Sequence, residues 1–178
     1  MKLLKTIRAD SSDTFVFDKA AGPGEWAVSG AFMFANLDPA TLSGKRRAAF
    51  RSGFLGIGSF GWSTLAQIVE VAAEERATAV ALLATRLVEH CGAPDLATAT
   101  AAAEEEIEFA ASLCNHPAGM LIAVSRRYET ETIRESFRTL QANPSGKSPV
   151  FSFIELIDDE PALMEHSSLP ELVDRARQ

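Results

Sequence analysis

The central stretch of the chain constrains its fold most. Between residues 74 and 114 two apolar-striped segments follow one another, with only Gly92, Ala93 and Pro94 at the junction. In the first, Val80, Leu83, Leu87 and Cys91 recur at helical spacing and mark one face of a helix over 74–91. Glu74 and Glu75 suit the positive N-terminal end of that helix, and Gly92 suits the position just past its last turn. In the second, over 95–114, Leu96, Ala99, Ala103, Ile107, Ala110 and Cys114 form the inner stripe. Glu104, Glu105 and Glu108 face outward. So short a connection predicts an antiparallel αα-hairpin, which must bury its apolar face on another layer.

The flanks supply that layer. Residues 3–8 and 14–17 read as two strands of a β-hairpin turned at Asp10-Ser11-Ser12-Asp13. Residues 25–28 and 31–34 read as two further extended apolar segments. Asp38 and Pro39 look like the cap and first position of a short helix, with another turn or two over 45–52. Residues 62–71 end in Ile68, Val69 and Val71, which favour a strand. Residues 120–128 read as a strand, and 132–141 as a short helix with Ile133, Phe137 and Leu140 on one face. Strand and helix do not alternate as a parallel sheet requires. The expected fold class is therefore α+β, an antiparallel sheet packed on one face by the αα-hairpin.

Asn143-Pro144-Ser145-Gly146 and the residues up to Pro149 look like a linker. They divide the chain into an α+β domain at 1–142, a linker at 143–149 and an acidic C-terminal segment at 150–178. From Glu155 to Asp174 there are seven acidic residues and no Lys or Arg. Ser168 and Glu171 make a capping-box pattern before a terminal helix near Leu172.

With 178 residues, 47% hydrophobic and 23% charged, the chain is sized for one core and a tail. Its net charge of -7 makes it a poor general binder of nucleic acid or of an anionic membrane. No apolar run approaches the roughly 20 residues that span a bilayer. The first eight residues are too charged for a signal peptide, and Cys91 and Cys114 are no disulfide framework. A cytoplasmic location is expected.

Four groups of residues are candidates for chemistry. His90-Cys91 and Cys114-Asn115-His116 carry ligand types that suit zinc. They fall at helix ends that an antiparallel hairpin sends about 30 Å apart, so both cysteines read as buried apolar residues and no metal is expected. Gly56-Ile57-Gly58-Ser59-Phe60-Gly61 matches a dinucleotide-loop spacing, but Arg46 to Arg51 upstream is no buried strand. Those glycines read as turn and close-packing residues around Phe54, Phe60 and Trp62. A ligand approaching the backbone near Ser59, Ser63 and Thr64 is the alternative. Two basic groups follow: Lys45, Arg46, Arg47 and Arg51, and then Arg126, Arg127, Arg134 and Arg138. Arg47 with Arg51, and Arg134 with Arg138, would share helix faces, and paired guanidinium groups grip small anions or acidic peptides. The plainer reading is solvated faces, or ion pairs with Glu129, Glu131 and Glu135. Finally, His90, His116 and His166 have no Ser or Cys partner in a strained turn.

Three stretches carry a resemblance: KLLKTIRADSSDTFVF with GEWAVSGAF, then FRSGFLGIGSFGWSTL, then GAPDL through AAEEEIEFAASLC to LIAV and IRESFRTLQ. Through residues 1 to about 141 the chain resembles a family of short bacterial proteins of unknown function. Some members carry a label relating them to biphenyl-2,3-diol extradiol dioxygenases. That label implies an iron site of two histidines and a carboxylate, for which this sequence offers His90, His116 and His166.

The functional expectation is a non-enzymatic accessory or protein-interaction module, acting on a protein partner or as a homodimer, with no cofactor. The alternative is a small anionic-ligand binding protein or minor enzyme. Its pocket would draw on Arg47, Arg51, Ser59, Trp62, Ser63, Arg126, Arg134 and Arg138.

Overall fold

A computed structural model describes residues 1–8, 11–129, 132–140 and 164–165 of the chain. The expected linker, the terminal helix and all of the C-terminal segment except residues 164–165 lie outside the described residues.

The described strands are β1 (Lys2–Ile7), β2 (Trp26–Val28), β3 (Phe54–Gly56), β4 (Gly61–Ser63), β5 (Leu65–Glu70), β6 (Leu121–Glu129), β7 (Thr132–Leu140) and β8 (Met164–Glu165). They form one sheet in the order β4-β3-β2-β1-β5-β6-β7-β8, antiparallel at every junction. The helices are α1 (Ser12–Val16), α2 (Gly44–Ser52), α3 (Ala73–Cys91) and α4 (Leu96–Ser112), with 3-10 turns at Ala31–Phe34 and Pro39–Thr41. The fold class is α+β, with α3 and α4 packed on each other and α4 over β1 and β2.

The hairpin forms where the sequence stripes require it. Ala79, Val80, Leu83, Ala84 and Leu87 of α3 are buried, as are Ala99, Ala102, Ala103, Ile107 and Ala110 of α4. Gly92 takes the left-handed φ of 72° that ends α3 without a Cβ penalty. The Asp95 carboxylate accepts from the Thr98 amide at 2.8 Å and starts α4. Arg76 near the start of α3 meets Glu108 near the end of α4 at 3.1 Å, so the helices are antiparallel. Two of the expected stripe positions differ. Cys91 and Leu96 are exposed, both at the connection, as the last residue of α3 and the first of α4. Cys114 is buried, as expected.

The sheet is not flat. Leu4, Ala27, Ala66, Ile68, Ile122 and Val124 share one buried face. On that face Phe54 of β3 lies 6.3 Å from Phe137 of β7, although β2, β1, β5 and β6 stand between them in strand order. Phe109 of α4 packs on Phe137 at 5.8 Å. The sheet therefore curls around α4. The helix α2 packs against β6 and builds a second small core from Phe17, Phe34, Leu42, Ala49 and Phe50.

Three local expectations are corrected. Residues 14–17 are not the second strand of a hairpin, because Ser12–Val16 is helical. The buried Asp13 carboxylate takes the Thr64 hydroxyl at 2.5 Å, and that tie pulls the segment off the sheet. The partners of β1 are instead β2 and β5. Residues 31–34 are a 3-10 turn rather than extended. Gly30 takes a φ of 77° where a Cβ would come within 2.7 Å of Leu55, so the chain turns away after β2. Residues 132–140 are a strand, not a helix. The spacing of Ile133, Phe137 and Leu140 fits both, but β6 pairs with this segment from Glu129↔Thr132 to Leu121↔Leu140. Across that ladder its Glu135 faces Arg126. Residues 62–70 are strand as expected, broken at Thr64, and β5 ends at Glu70 before Val71.

The closest backbone approach predicts a measurable cost. A Cβ on Gly61 would stand 2.7 Å from the backbone carbonyl of Ala20, which cannot step aside as a side chain would. Gly61→Ala should therefore lose about 1–3 kcal/mol in urea unfolding. A variant as stable as the parent would contradict this packing.

Candidate functional site

The chemistry-bearing residues collect where the curled sheet closes. Arg126 projects from the inner face of β6 and is 3% exposed. Its Nε donates to Oε1 of Glu135, directly opposite on β7, at 2.6 Å. Its Nη1 donates to the carbonyls of Phe50 at 3.1 Å and Gly53 at 2.8 Å, with the Ala49 carbonyl alongside. They lie at the C-terminal end of α2, where the Ala49 carbonyl already accepts the Gly53 amide at 3.0 Å and a cation also complements the helix dipole. Its Nη2 donates to the carbonyl and hydroxyl of Ser29, just past β2. The Ser29 hydroxyl donates in turn to Glu135 Oε1 at 2.5 Å. One guanidinium thus ties β6, β7, α2 and the end of β2.

Glu106 comes to the same region from α4 and is 4% exposed. Its Oε2 has no hydrogen-bond partner. Burial pushes its carboxyl up to about 8, the nearby Glu135 charge pushes the same way, and Arg126 opposes both. At neutral pH it is therefore mostly protonated. The cluster then holds one cation and one carboxylate, a balance that a dry interior tolerates.

A second polar site surrounds the glycine-rich turn between β3 and β4. The carboxylate that fills it is the chain's own. Glu25 Oε2 accepts from the Ser59 amide at 2.7 Å and the Ser59 hydroxyl at 3.0 Å, and Oε1 accepts from the Gly22 amide at 2.5 Å. A Cβ on Gly56 would stand 2.8 Å from Glu25, and one on Gly58 3.1 Å. These glycines make room for an internal carboxylate. Asp13 engages the amide and hydroxyl of Thr64 in the same way.

The remaining candidates disperse. Ser63 is buried and donates to Ile7 and Leu65 carbonyls. Trp62 packs on Phe34 at 5.2 Å and over Gly30 and Gly53. Arg47 and Arg51 are exposed on α2. Arg134 lies on β7, where its Nε meets Glu129 at 3.0 Å, and Arg127 meets the same carboxylate at 2.8 Å. Arg134 and Arg138 do not share a helix face, because their segment is a strand. Glu131 lies outside the described residues.

The two sulfur–imidazole pairs sit at opposite ends of the hairpin. His90 stacks on Phe60 at 5.0 Å and Cys91 donates to Met33 sulfur at 3.8 Å. Cys114 donates to the Ala110 carbonyl, and burial raises its thiol to about 11. The His116 carbonyl accepts from Lys2 at 2.8 Å. His166 lies outside the described residues.

Sequence reasoning missed Ser29, Glu25, Asp13 and Glu106. Only Glu106 had a signal: it stands three residues after Ala103 and four before Ala110, on the inner stripe.

A family model described as a family of unknown function (DUF6505) matches residues 1–152. The chain belongs to that family. The DUF6505 match covers every helix described here and all strands but β8. It also runs past residue 141, where the resemblance ended, and through the expected linker. Comparison with curated proteins and with solved structures finds no match.

The raised Glu106 carboxyl makes stability depend on pH. In the unfolded chain it ionises near its ordinary 4.5, and in the folded chain near 8. Stability that is full below pH 4.5 is therefore lost progressively as pH rises toward about 8, and no further above it. Glu106→Gln removes that loss. It should match the parent near pH 4.5 and exceed it at pH 8 by on the order of 2–4 kcal/mol in urea unfolding. A difference independent of pH would contradict this assignment.

Proposed function

We propose that this DUF6505 chain is a non-enzymatic accessory module that works by binding another protein. The observation that carries this reading is the engagement of Arg126. All three of its nitrogens are bound to the chain's own carbonyls, to Ser29 and to Glu135. A small-anion pocket between the glycine-rich turn and the sheet would need donors at Ser59, Ser63, Thr64 or Arg126. Ser59 and Thr64 hold Glu25 and Asp13, and Ser63 faces carbonyls. Displacing these internal partners would take donors from the buried Asp13 and the half-buried Glu25, which costs more than a weak anion returns.

The basic side chains of α2 support a surface role. Lys45, Arg46, Arg47 and Arg51 are exposed, and no described carboxylate lies within ion-pair distance of them. A homodimer is one form such binding takes.

Titration with phosphate, sulfate and citrate at millimolar concentration, followed by calorimetry and thermal unfolding, tests the choice. No saturable binding is expected. Micromolar binding of any of the three, abolished in Arg126→Lys, would replace this reading with the anion-binding one.

A further inference from the structure

We infer that the corner formed by α1 and α2 is a docking surface for an acidic polypeptide segment of a partner protein, with apolar side chains set between its carboxylates. The inference rests on the interaction-module reading and names its site and partner chemistry.

Three observations converge on this corner. The first is charge. The α2 sequence GKRRAAFRS has four cations and no acid, in a chain of net charge -7. Elsewhere many arginines have internal partners: Arg8 on the Ala21 carbonyl, Arg76 on Glu108, Arg86 on Glu89, and Arg127 and Arg134 on Glu129. The second is position. Lys45, Arg46 and Arg47 occupy the first turn of α2, which has no acidic residue and no side-chain cap from Ser43. Cations there oppose the helix dipole, so folding alone gains nothing from them, and a carboxylate bound beside them relieves the conflict. The third is apolar exposure. Next to α2, α1 presents Phe15 at 73% exposure and Val16 at 38%. A short helix that buries Asp13 and exposes Phe15 leaves its aromatic ring for another surface.

Size and sign choose the partner. Nine residues of α2 span about 13 Å, the length of about four residues of extended chain. Two carboxylates on one side of such a segment would reach the cations, and a neighbouring aliphatic or aromatic side chain would reach Phe15. Nucleic acids and anionic membranes present wide, dense negative charge, which the outward Glu104, Glu105 and Glu108 and the overall charge repel. The chain's own residues 150–174 intersperse Phe, Leu and Ile with Asp and Glu. A second copy is therefore an outcome that the test must separate.

The test uses the full chain and a fluorescent peptide alternating Asp or Glu with Leu or Phe. Saturable binding is expected that weakens with salt. Arg46→Glu with Arg47→Glu should weaken it by roughly tenfold or more, and Phe15→Ser by several-fold. All these residues are exposed, and unchanged thermal unfolding of the variants confirms the fold. The inference is overturned by equal binding of an Asn/Gln-substituted peptide, by variants that bind like the parent, or by tighter binding to anionic vesicles or DNA. It is also overturned by a concentration-dependent dimer that the α2 variant dissociates, which makes a second copy the occupant. Failure here leaves the small-anion titration negative, so the broader module reading stands or falls separately.

Discussion

The Arg126 guanidinium is the interaction on which the shape depends. A sheet that curls around a helix brings strand ends together that never pair in its ladder. Their carbonyls then face one another without donors, in a place that water does not reach. Arg126 supplies the donors, from the one side chain with five N–H groups in a rigid fork. Its partners are Glu135 on β7, Ser29 past β2, and the C-terminal end of α2. Removing the charge would take the cation from Glu135 and the side-chain donors from the Phe50, Gly53 and Ser29 carbonyls at once. Buried pairs of this kind are costly to break, although an apolar replacement of both partners is often tolerated.

The same logic explains the glycine-rich turn. Glycines at 56 and 58 bring the backbone close to a carboxylate, which is what a ligand loop also does. Here the carboxylate is Glu25, and a motif spacing that suggests binding is used for internal closure. Asp13 on Thr64 repeats the device at α1. In this chain polar side chains mostly join segments that the sheet alone would leave apart. The basic side chains of α2 are on the outside.

The hairpin, the strands β1, β2, β5 and β6 and the α+β class were legible in the sequence, because helical stripes and β-branched runs report burial directly. The order of pairing was not. Nothing local says that β1 takes β2 and β5 as neighbours rather than residues 14–17, since that choice turns on the long-range tie of Asp13 to Thr64. The β7 segment was misleading for a related reason. Ile133, Phe137 and Leu140 fit a helix face, while Glu135 reads as an ion-pair partner of the arginines with nothing local to say that the pair is buried. Only contact with Arg126 makes it an inward-facing strand residue. The arginines stand out in the sequence as two groups, and the structure does not keep the second together. Their fates differ by burial, with Arg126 in the core and Arg47 and Arg51 on the surface, and alternation along β6 hints at the first without fixing it.

Native-state hydrogen exchange on Arg126→Lys tests this account most directly. Lysine keeps the charge but cannot reach four elements at once. Amides of β7, of the C-terminal half of α2 and around Ser29 should lose protection, while those of α3 and α4 keep theirs. Unchanged exchange in β7 and α2, or equal loss across the hairpin as well, would contradict the claim that this guanidinium closes the curl.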